Sequence, residues 1–419
     1  MLKSSLGFHT MTLSISLLSS ESNQLIKDFD TYRANTGLIE LYRKNEKNEV
    51  IKYYYKEYLI PLETNIKFKG KDRGIRWCIR VSKKPSNYSE VIVEATINPK
   101  ILAGITDPLS AATYGDMNIA IANFNDESKK ISSLLGTFND YEIKRVDYCI
   151  NICLSDFIPT YDPELIMNLI KRSDIPPHYK EWTEYDDTSH RKKSRSESFY
   201  LCSNSANINY YSKYLQLQNR SQENEEKGFD PIPQETIDAS HDIIRFEVQC
   251  KYFKTHALNK KAENSGNECL NKYKSLLAPL TCIEIISSYY EKVIGKGDWY
   301  TLSEAMQIIQ SKNFYIQRAQ HYIDTLKYVS QCRSIAKAKA SYQENELLAF
   351  KQTLKELADL NINPVTIPRE WNIKHIPNFL KAYFNELMKD FSNFNILNEN
   401  LCAAQGYVEY CERYKKPPI

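Results

Sequence analysis

Apolar and polar residues alternate with period two over much of the chain up to about residue 250, and helical spacing replaces that alternation beyond about residue 255. Arg73 to Ser82 is the clearest case. Ile75, Trp77, Ile79 and Val81 fall on one side, and Arg76, Cys78 and Arg80 on the other, which predicts a half-buried strand. The same alternation predicts strands over Val91 to Asn98, Glu142 to Leu154, Phe199 to Leu215 and His241 to Phe253. Leu38 to Tyr42 and Val50 to Ile60 are rich in β-forming residues and read as shorter strands. Helices are predicted over Ser20 to Asn35, with Leu25, Ile26, Phe29 and Tyr32 forming the stripe, and within Leu109 to Leu135, closed by Gly136. Asp162 followed by Pro163 offers an N-cap and a first-turn proline for a further helix carrying Leu165, Ile166 and Leu169.

The polar segment 181–198 predicts a loop or hairpin tip, and it carries the basic cluster Arg191, Lys192, Lys193 and Arg195. Asn219 to Ser240, with Pro231 and Pro233, reads as a loop or extended helix end. Past Lys296, Thr301 with Glu304 has capping-box spacing, and a second helix over Phe314 to Gln331 makes a helix-turn-helix pair. Glu344 to Leu360 is a further amphipathic helix. The expected fold class is α+β: an antiparallel sheet packed on helices over residues 1–295, then a helical unit over 296–419.

Three strands carry chemistry on one side. Arg145, Asp147, Cys149 and Asn151 oppose Val146, Tyr148, Ile150 and Ile152; Arg245, Glu247 and Gln249 oppose Ile244, Phe246 and Val248; Asn209, Tyr211 and Lys213 oppose Ile208 and Tyr210. If these polar sides coincide, Asp147 and Glu247 offer oxygen ligands to Mg²⁺ or Mn²⁺, with Glu94 as a further candidate on its own strand. Tyr211 would be the nucleophile, with Lys213 favouring its ionised form. Tyr210 stays a rival, because a one-residue slip in register exchanges their faces. Cross-strand ion pairing on a solvated polar face also accounts for these residue types.

Composition narrows the classes further. The 419 residues include 55 basic and 52 acidic side chains, a formal charge of +3, so a nucleic-acid partner would have to be met by local clusters. The ten cysteines show no CxxC pair, consistent with reduced thiols in a cytoplasmic protein. No run approaches a membrane span, and the apolar stretch Met11 to Leu18 lacks the features of a signal peptide. P-loop, GxGxxG, HExxH and GxSxG patterns are absent, and the seven histidines are isolated, with no His-hydrophobic-His pair.

Four strings in order resemble those of the phage and plasmid replication initiators of the gene II/X group, and more distantly the Rep_trans-type plasmid initiators. They are VEATINPKILAG at 93–104, RVDYCIN at 145–151, INYYSKY at 208–214 and IRFEVQCK at 244–251, spanning roughly residues 10–260. NINPVTIP at 361–368 is similar to a helical extension in related initiators. The resemblance implies a rolling-circle endonuclease with metal ligands at Asp147 and Glu247 and a strand-borne tyrosine at Tyr211. It also implies origin DNA as substrate, presented as a hairpin or single strand, and a host helicase as partner. One departure is that Leu215, Gln216, Leu217 and Gln218 follow Lys213, where the group usually carries an acid. Arg145, Arg245, the 191–195 cluster and, in the helical unit, Lys312, Arg318 and Lys327 are candidates for DNA contact. A conjugative relaxase, a non-enzymatic DNA-binding protein and a structural interaction protein are the alternatives.

Overall fold

In the computed structural model the described residues are 2–36, 39–41, 53–61, 64–65, 68–69, 72–83, 89–105, 107, 109–159, 162–186, 191–193, 197–226, 230–264 and 272–419. Ten strands form one sheet: β1 (Ser5–Leu18), β2 (Ile39–Leu41), β3 (Tyr53–Pro61), β4 (Asp72–Lys83), β5 (Ser89–Ile97), β6 (Glu142–Cys153), β7 (Lys180–Glu181), β8 (Ser198–Cys202), β9 (Ala206–Ser212) and β10 (Ile243–Cys250). Their spatial order is β2-β3-β4-β5-β1-β6-β10-β9-β8-β7, and every neighbouring pair is antiparallel. The expected α+β class, an antiparallel sheet packed on helices with a helical C-terminal region, is the observed one.

The helices that follow β1 in sequence are α1 (Ser22–Thr36), α2 (Pro99–Leu102), α3 (Met117–Ile131), α4 (Pro163–Ile170), α5 (Lys213–Glu226), α6 (Gln234–Ala239), α7 (Tyr252–Asn264), α8 (Lys272–Leu277) and α9 (Pro279–Val293). Of these, α1, α3, α8 and α9 pack on the apolar side of the sheet, where its alternation supplies large side chains. Trp77 of β4 is fully buried and packs on Phe29 of α1 at 5.9 Å and Phe124 of α3 at 5.6 Å. Tyr148 of β6 faces the same layer and donates its hydroxyl proton to the Leu276 carbonyl of α8 at 2.8 Å. Asp162 caps α4 as its sequence predicts, accepting from the Glu164 and Leu165 amides.

Two expectations change at the chain start and after β9. The opening stretch, read only for its lack of a leader signal, forms the 14-residue β1 at the middle of the sheet. The strand expected over Phe199 to Leu215 is two strands, and the chain turns into α5 at Lys213, so Lys213 opens a helix rather than continuing the strand. Within the segment 181–198, expected as a loop or hairpin tip, Glu184–Asp186 pairs with Arg191–Lys193; Arg195 lies outside the described residues.

Beyond residue 295 come α10 (Leu302–Gln310), α11 (Ile316–Cys332), α12 (Ile335–Ala340), α13 (Glu344–Asp359), α14 (Phe379–Ser392) and α15 (Asn398–Tyr414). Ala305, Ile309, Tyr322, Ile323, Leu326, Leu357 and Ile362 make a small core of their own among α10, α11 and α13. By contrast α14 and α15 return to the main core, and Asn400 donates to the carbonyls of Leu2 and Ser4 at 3.3 and 3.0 Å. The expected 296–419 unit therefore contains both a satellite cluster and two helices that pin the first residues of the chain.

On the polar side, the segment after α2 runs past the end of β5 and bridges β1: Phe8 and Ala112 exchange backbone hydrogen bonds of 2.7 and 3.1 Å. Gly7 allows this approach, because a Cβ there would lie 2.1 Å from the Ala112 carbonyl oxygen. Gly7→Ala is expected to destabilise the protein by about 1–3 kcal/mol through forced backbone displacement. Chemical denaturation checks this; an unchanged midpoint would show that the crossing segment can yield.

Candidate active site

The polar side of β6, β10 and β9 is a grid set by strand register. Asn151, Arg245 and Tyr211 form one cross-strand row, Cys149, Glu247 and Asn209 the next, and Asp147, Gln249 and Asn207 the third. Tyr211, Glu247 and Asp147 are thus diagonal neighbours, each one strand over and two residues along from the last. Diagonal positions on a sheet are about 7–8 Å apart at Cα, within reach of long polar side chains. The Tyr211 hydroxyl donates to Glu247 Oε2 at 3.5 Å.

β1 completes the grid through an irregularity. Gly7 and Phe8 pair with Cys149 and Tyr148, Met11 and Thr12 with Val146 and Arg145, and the two residues His9 and Thr10 stand opposite the single residue Asp147. This bulge turns both side chains to the polar side. Thr10 donates its hydroxyl proton to Asp147 Oδ2. His9 Nδ1 approaches Glu247 Oε2 at 2.9 Å but lacks hydrogen-bond alignment. His9, Asp147 and Glu247 each offer a ligand atom within 4.8 Å of the others. One imidazole and two carboxylates suit a first-row divalent ion such as Mn²⁺, with positions left for substrate oxygens.

Charge around the trio is held by buried partners. Arg145 grips Asp147 with a fork, Nε to Oδ1 and Nη2 to Oδ2, both at 2.6 Å. Burial and the nearby Glu247 nevertheless push the Asp147 carboxyl above its usual range. Burial pushes Glu247 the same way, but the charge of His9, a 2.8 Å hydrogen bond from Gln249 Nε2 and the Arg245 charge outweigh it and hold Glu247 at about 2. Tyr211 is 4% exposed, and burial raises its hydroxyl above the ordinary tyrosine value against the pull of Arg245.

The remaining candidates sit as follows. Tyr210 is on the opposite, apolar face, stacked on Phe246 at 4.4 Å and packed against Tyr290 of α9. Lys213 keeps its place near Tyr211 despite opening a helix, with Nζ 5.6 Å from the ring centroid. Glu94 pairs across β1 with Ser14, four residues from Thr10, which is about 13 Å along a strand; it is not brought to the trio. Arg245 is fully buried, donating to Asn151 Oδ1 at 2.6 Å and to the carbonyls of Leu109 and Ser110 at 3.3 Å. Of the helical candidates, Lys312 is exposed in the turn between α10 and α11. Arg318 is engaged by the Tyr322 hydroxyl at 2.7 Å and Glu356 at 3.5 Å, and Lys327 lies 3.7 Å from Asp324. Arg191, Lys192 and Lys193 are on the short hairpin.

Sequence reasoning missed His9, although a signal was present. Leu6 and Phe8 are buried at even positions and Met11 and Leu13 at odd ones, and that slip in phase marks a bulge between them.

No protein-family model matches this chain, and no curated protein matches it. Among solved structures, a rolling circle replication initiator protein from Geobacillus stearothermophilus aligns over 69% of this chain and 85% of its own, with 10% identity and a TM-score of 0.28.

Manganese at a hundred times its dissociation constant is expected to stabilise the fold by about 2.7 kcal/mol. His9→Ala and Asp147→Asn should each remove most of that gain, and Glu94→Gln should leave it. Thermal unfolding with and without Mn²⁺ decides; a gain retained by both His9→Ala and Asp147→Asn would place the ion elsewhere.

Proposed function

We propose that this protein nicks one strand of DNA through Tyr211 and acts as a rolling-circle replication initiator. The observation that carries the proposal is the position of the Tyr211 hydroxyl, 3.5 Å from a carboxylate that belongs to a His9, Asp147 and Glu247 donor set on the same buried sheet face. A tyrosine beside a divalent-ion site is an arrangement for attack on a phosphodiester, since both the nucleophile and the phosphate oxygens need charge neutralised. The order of the strings that carry the gene II/X resemblance agrees with it.

When bound, a divalent ion would supply Lewis acidity to the phosphodiester. His9 Nδ1 and the carboxylates of Asp147 and Glu247 would hold it. Arg145 and Thr10 fix the Asp147 carboxylate in place, and Gln249 fixes that of Glu247. Tyr211 rests protonated, its O–H directed at Glu247. As that proton is given up to water, the Arg245 charge stabilises the phenolate, with Lys213 Nζ 5.6 Å from the ring centroid. The phenolate oxygen bonds to phosphorus, the bond from phosphorus to the 3′ oxygen breaks, and that oxygen takes up a proton from water. The products are a 5′-phosphotyrosine link and a free 3′ hydroxyl able to prime synthesis. We assign the attack to Tyr211 rather than Tyr210, whose ring is locked between Phe246 and Tyr290 on the helix-covered side. The exposed Lys312 and the basic hairpin strand Arg191–Lys193 are assigned to phosphate contact outside the cleavage centre. Continued unwinding from the nick would call for a helicase.

Supercoiled DNA carrying the region around the coding sequence, incubated with Mn²⁺, is expected to yield nicked circles and a covalent protein–DNA adduct on denaturing gels. Tyr211→Phe should lower adduct formation by at least about a thousandfold, and Tyr210→Phe should still form it. Adduct at wild-type level from Tyr211→Phe would remove Tyr211 from the mechanism.

A further inference from the structure

Glu247 divides its two oxygens between different neighbours. Oε2 faces His9 Nδ1 at 2.9 Å and the Tyr211 hydroxyl at 3.5 Å, while Oε1 accepts from Gln249 Nε2 at 2.8 Å. The orientation of the Gln249 amide therefore decides which carboxylate oxygen is turned toward the donor set. A carboxamide can present either its N–H or its oxygen at a given place, and the second choice would set oxygen against carboxylate. Gln249 is also neutral, so it orients Glu247 without cancelling the charge a cation would use.

Two residues further along the sheet make that choice. Tyr200 of β8 pairs with Asn209, in the row of Glu247, and Asn207 of β9 pairs with Gln249, in the row of Asp147. The Tyr200 hydroxyl donates to Gln249 Oε1 at 3.1 Å. Asn207 Nδ2 donates to the same oxygen at 3.1 Å and to the Tyr200 hydroxyl oxygen at 2.7 Å. Gln249 Oε1 is thus filled from two sides, and its Nε2 is left to point at Glu247. Asp147 does not draw that donor away, since Arg145 and Thr10 already hold its oxygens. Asn207 is 8% exposed, and its Oδ1 is buried without a partner among the described residues. Turning the Asn207 amide over would bring that oxygen against Gln249 Oε1, so the orientation present serves the three-residue ring rather than Asn207 itself. Backbone pairing already holds these strands in register, and the ring adds direction to one side chain.

We propose that Tyr200 and Asn207 are positioning residues of the metal site: through Gln249 they hold Glu247 Oε1 and keep Oε2 turned toward the ion and Tyr211. The proposal rests on His9, Asp147 and Glu247 as the donor set and extends it outward by two strands, to β8. Neither residue touches the ion or the phosphodiester. Hydrogen-bond partners of metal ligands typically change affinity by about 10–100-fold when removed.

Affinity of the full-length protein for Mn²⁺, without DNA, is measured from the electron paramagnetic resonance signal of the free ion. Tyr200→Phe keeps the ring and loses the hydroxyl, and should weaken Mn²⁺ about tenfold while the metal-free protein melts close to wild type. Should Tyr200→Phe fold poorly, Asn207→Ser gives the same decision. Gln249→Leu should weaken Mn²⁺ by up to about a hundredfold. Tyr200→Phe combined with Gln249→Leu should bind no more weakly than Gln249→Leu alone, because the hydroxyl acts only through the amide. In the nicking assay Tyr200→Phe should regain the wild-type rate at saturating Mn²⁺, a recovery that a general loss of structure would not permit. Penalties that add in the double variant, or wild-type affinity in both Tyr200→Phe and Asn207→Ser, would overturn the positioning role and leave the donor set standing. No binding of Mn²⁺ by wild type would remove both. Affinities in the expected order without any nicking from wild type would keep the positioning role and remove the nuclease.

Discussion

Two carboxylates held side by side inside a protein repel one another, and the middle of this sheet is organised by that repulsion. Asp147 and Glu247 are each no more than 2% exposed, with carboxylate oxygens within 4.8 Å of one another. At an effective dielectric of about 20, that spacing corresponds to roughly 3 kcal/mol of repulsion. Arg145, Thr10, His9, Gln249 and Arg245 all contribute to offsetting it. They act unequally, so Asp147 is driven up and Glu247 down. Paired groups whose environments separate their proton affinities are a recurring property of sites that do chemistry. A sheet kept only for packing would gain by replacing both acids with apolar residues.

Much of this was legible in the chain because the sheet is antiparallel with one apolar side. Period two placed Asp147, Glu247 and Tyr211 on a common face and Tyr210 on the other, and the structure has them so. Asp162 and Thr301 marked helix starts correctly, Thr301 accepting from the Glu304 amide at 3.4 Å. What periodicity does not carry is which strands become neighbours. Nothing local says that β1 lies between β5 and β6, so His9, the third member of the donor set, looked isolated. Nor does alternation report where a strand yields to a helix when the side chains suit both. Tyr-Ser-Lys-Tyr continues the β pattern, yet the chain turns at Lys213. The lysine still reaches Tyr211, because the first turn of α5 leaves from the strand end beside it.

The helices past residue 295 divide their work. α10, α11 and α13 close a small core around Tyr322 and Leu357, while α14 and α15 contribute Phe379, Tyr383 and Ala404 to the same core as the sheet. The first group is tied to the main core as well, through Val329 of α11, Phe350 of α13 and the Ile335 amide, which donates to the Arg172 carbonyl at 2.9 Å. The second group fixes the start of the chain, since Asn400 and Asp390 hold the backbone of the first residues.

Placing β1 at the sheet centre, with its neighbours drawn from much later in the chain, also sets an order of events during synthesis. His9 emerges before the others, Asp147 well afterwards, and Tyr211 and Glu247 later still, at roughly 5–20 residues per second. Until β10 emerges, the first strand lacks its completed neighbourhood and the ligand set has only two members. Asn400, which fastens the start of β1, emerges after all of them. A nascent chain that has not yet delivered β10 therefore cannot bring His9, Asp147 and Glu247 together, and the donor set belongs to the finished sheet alone.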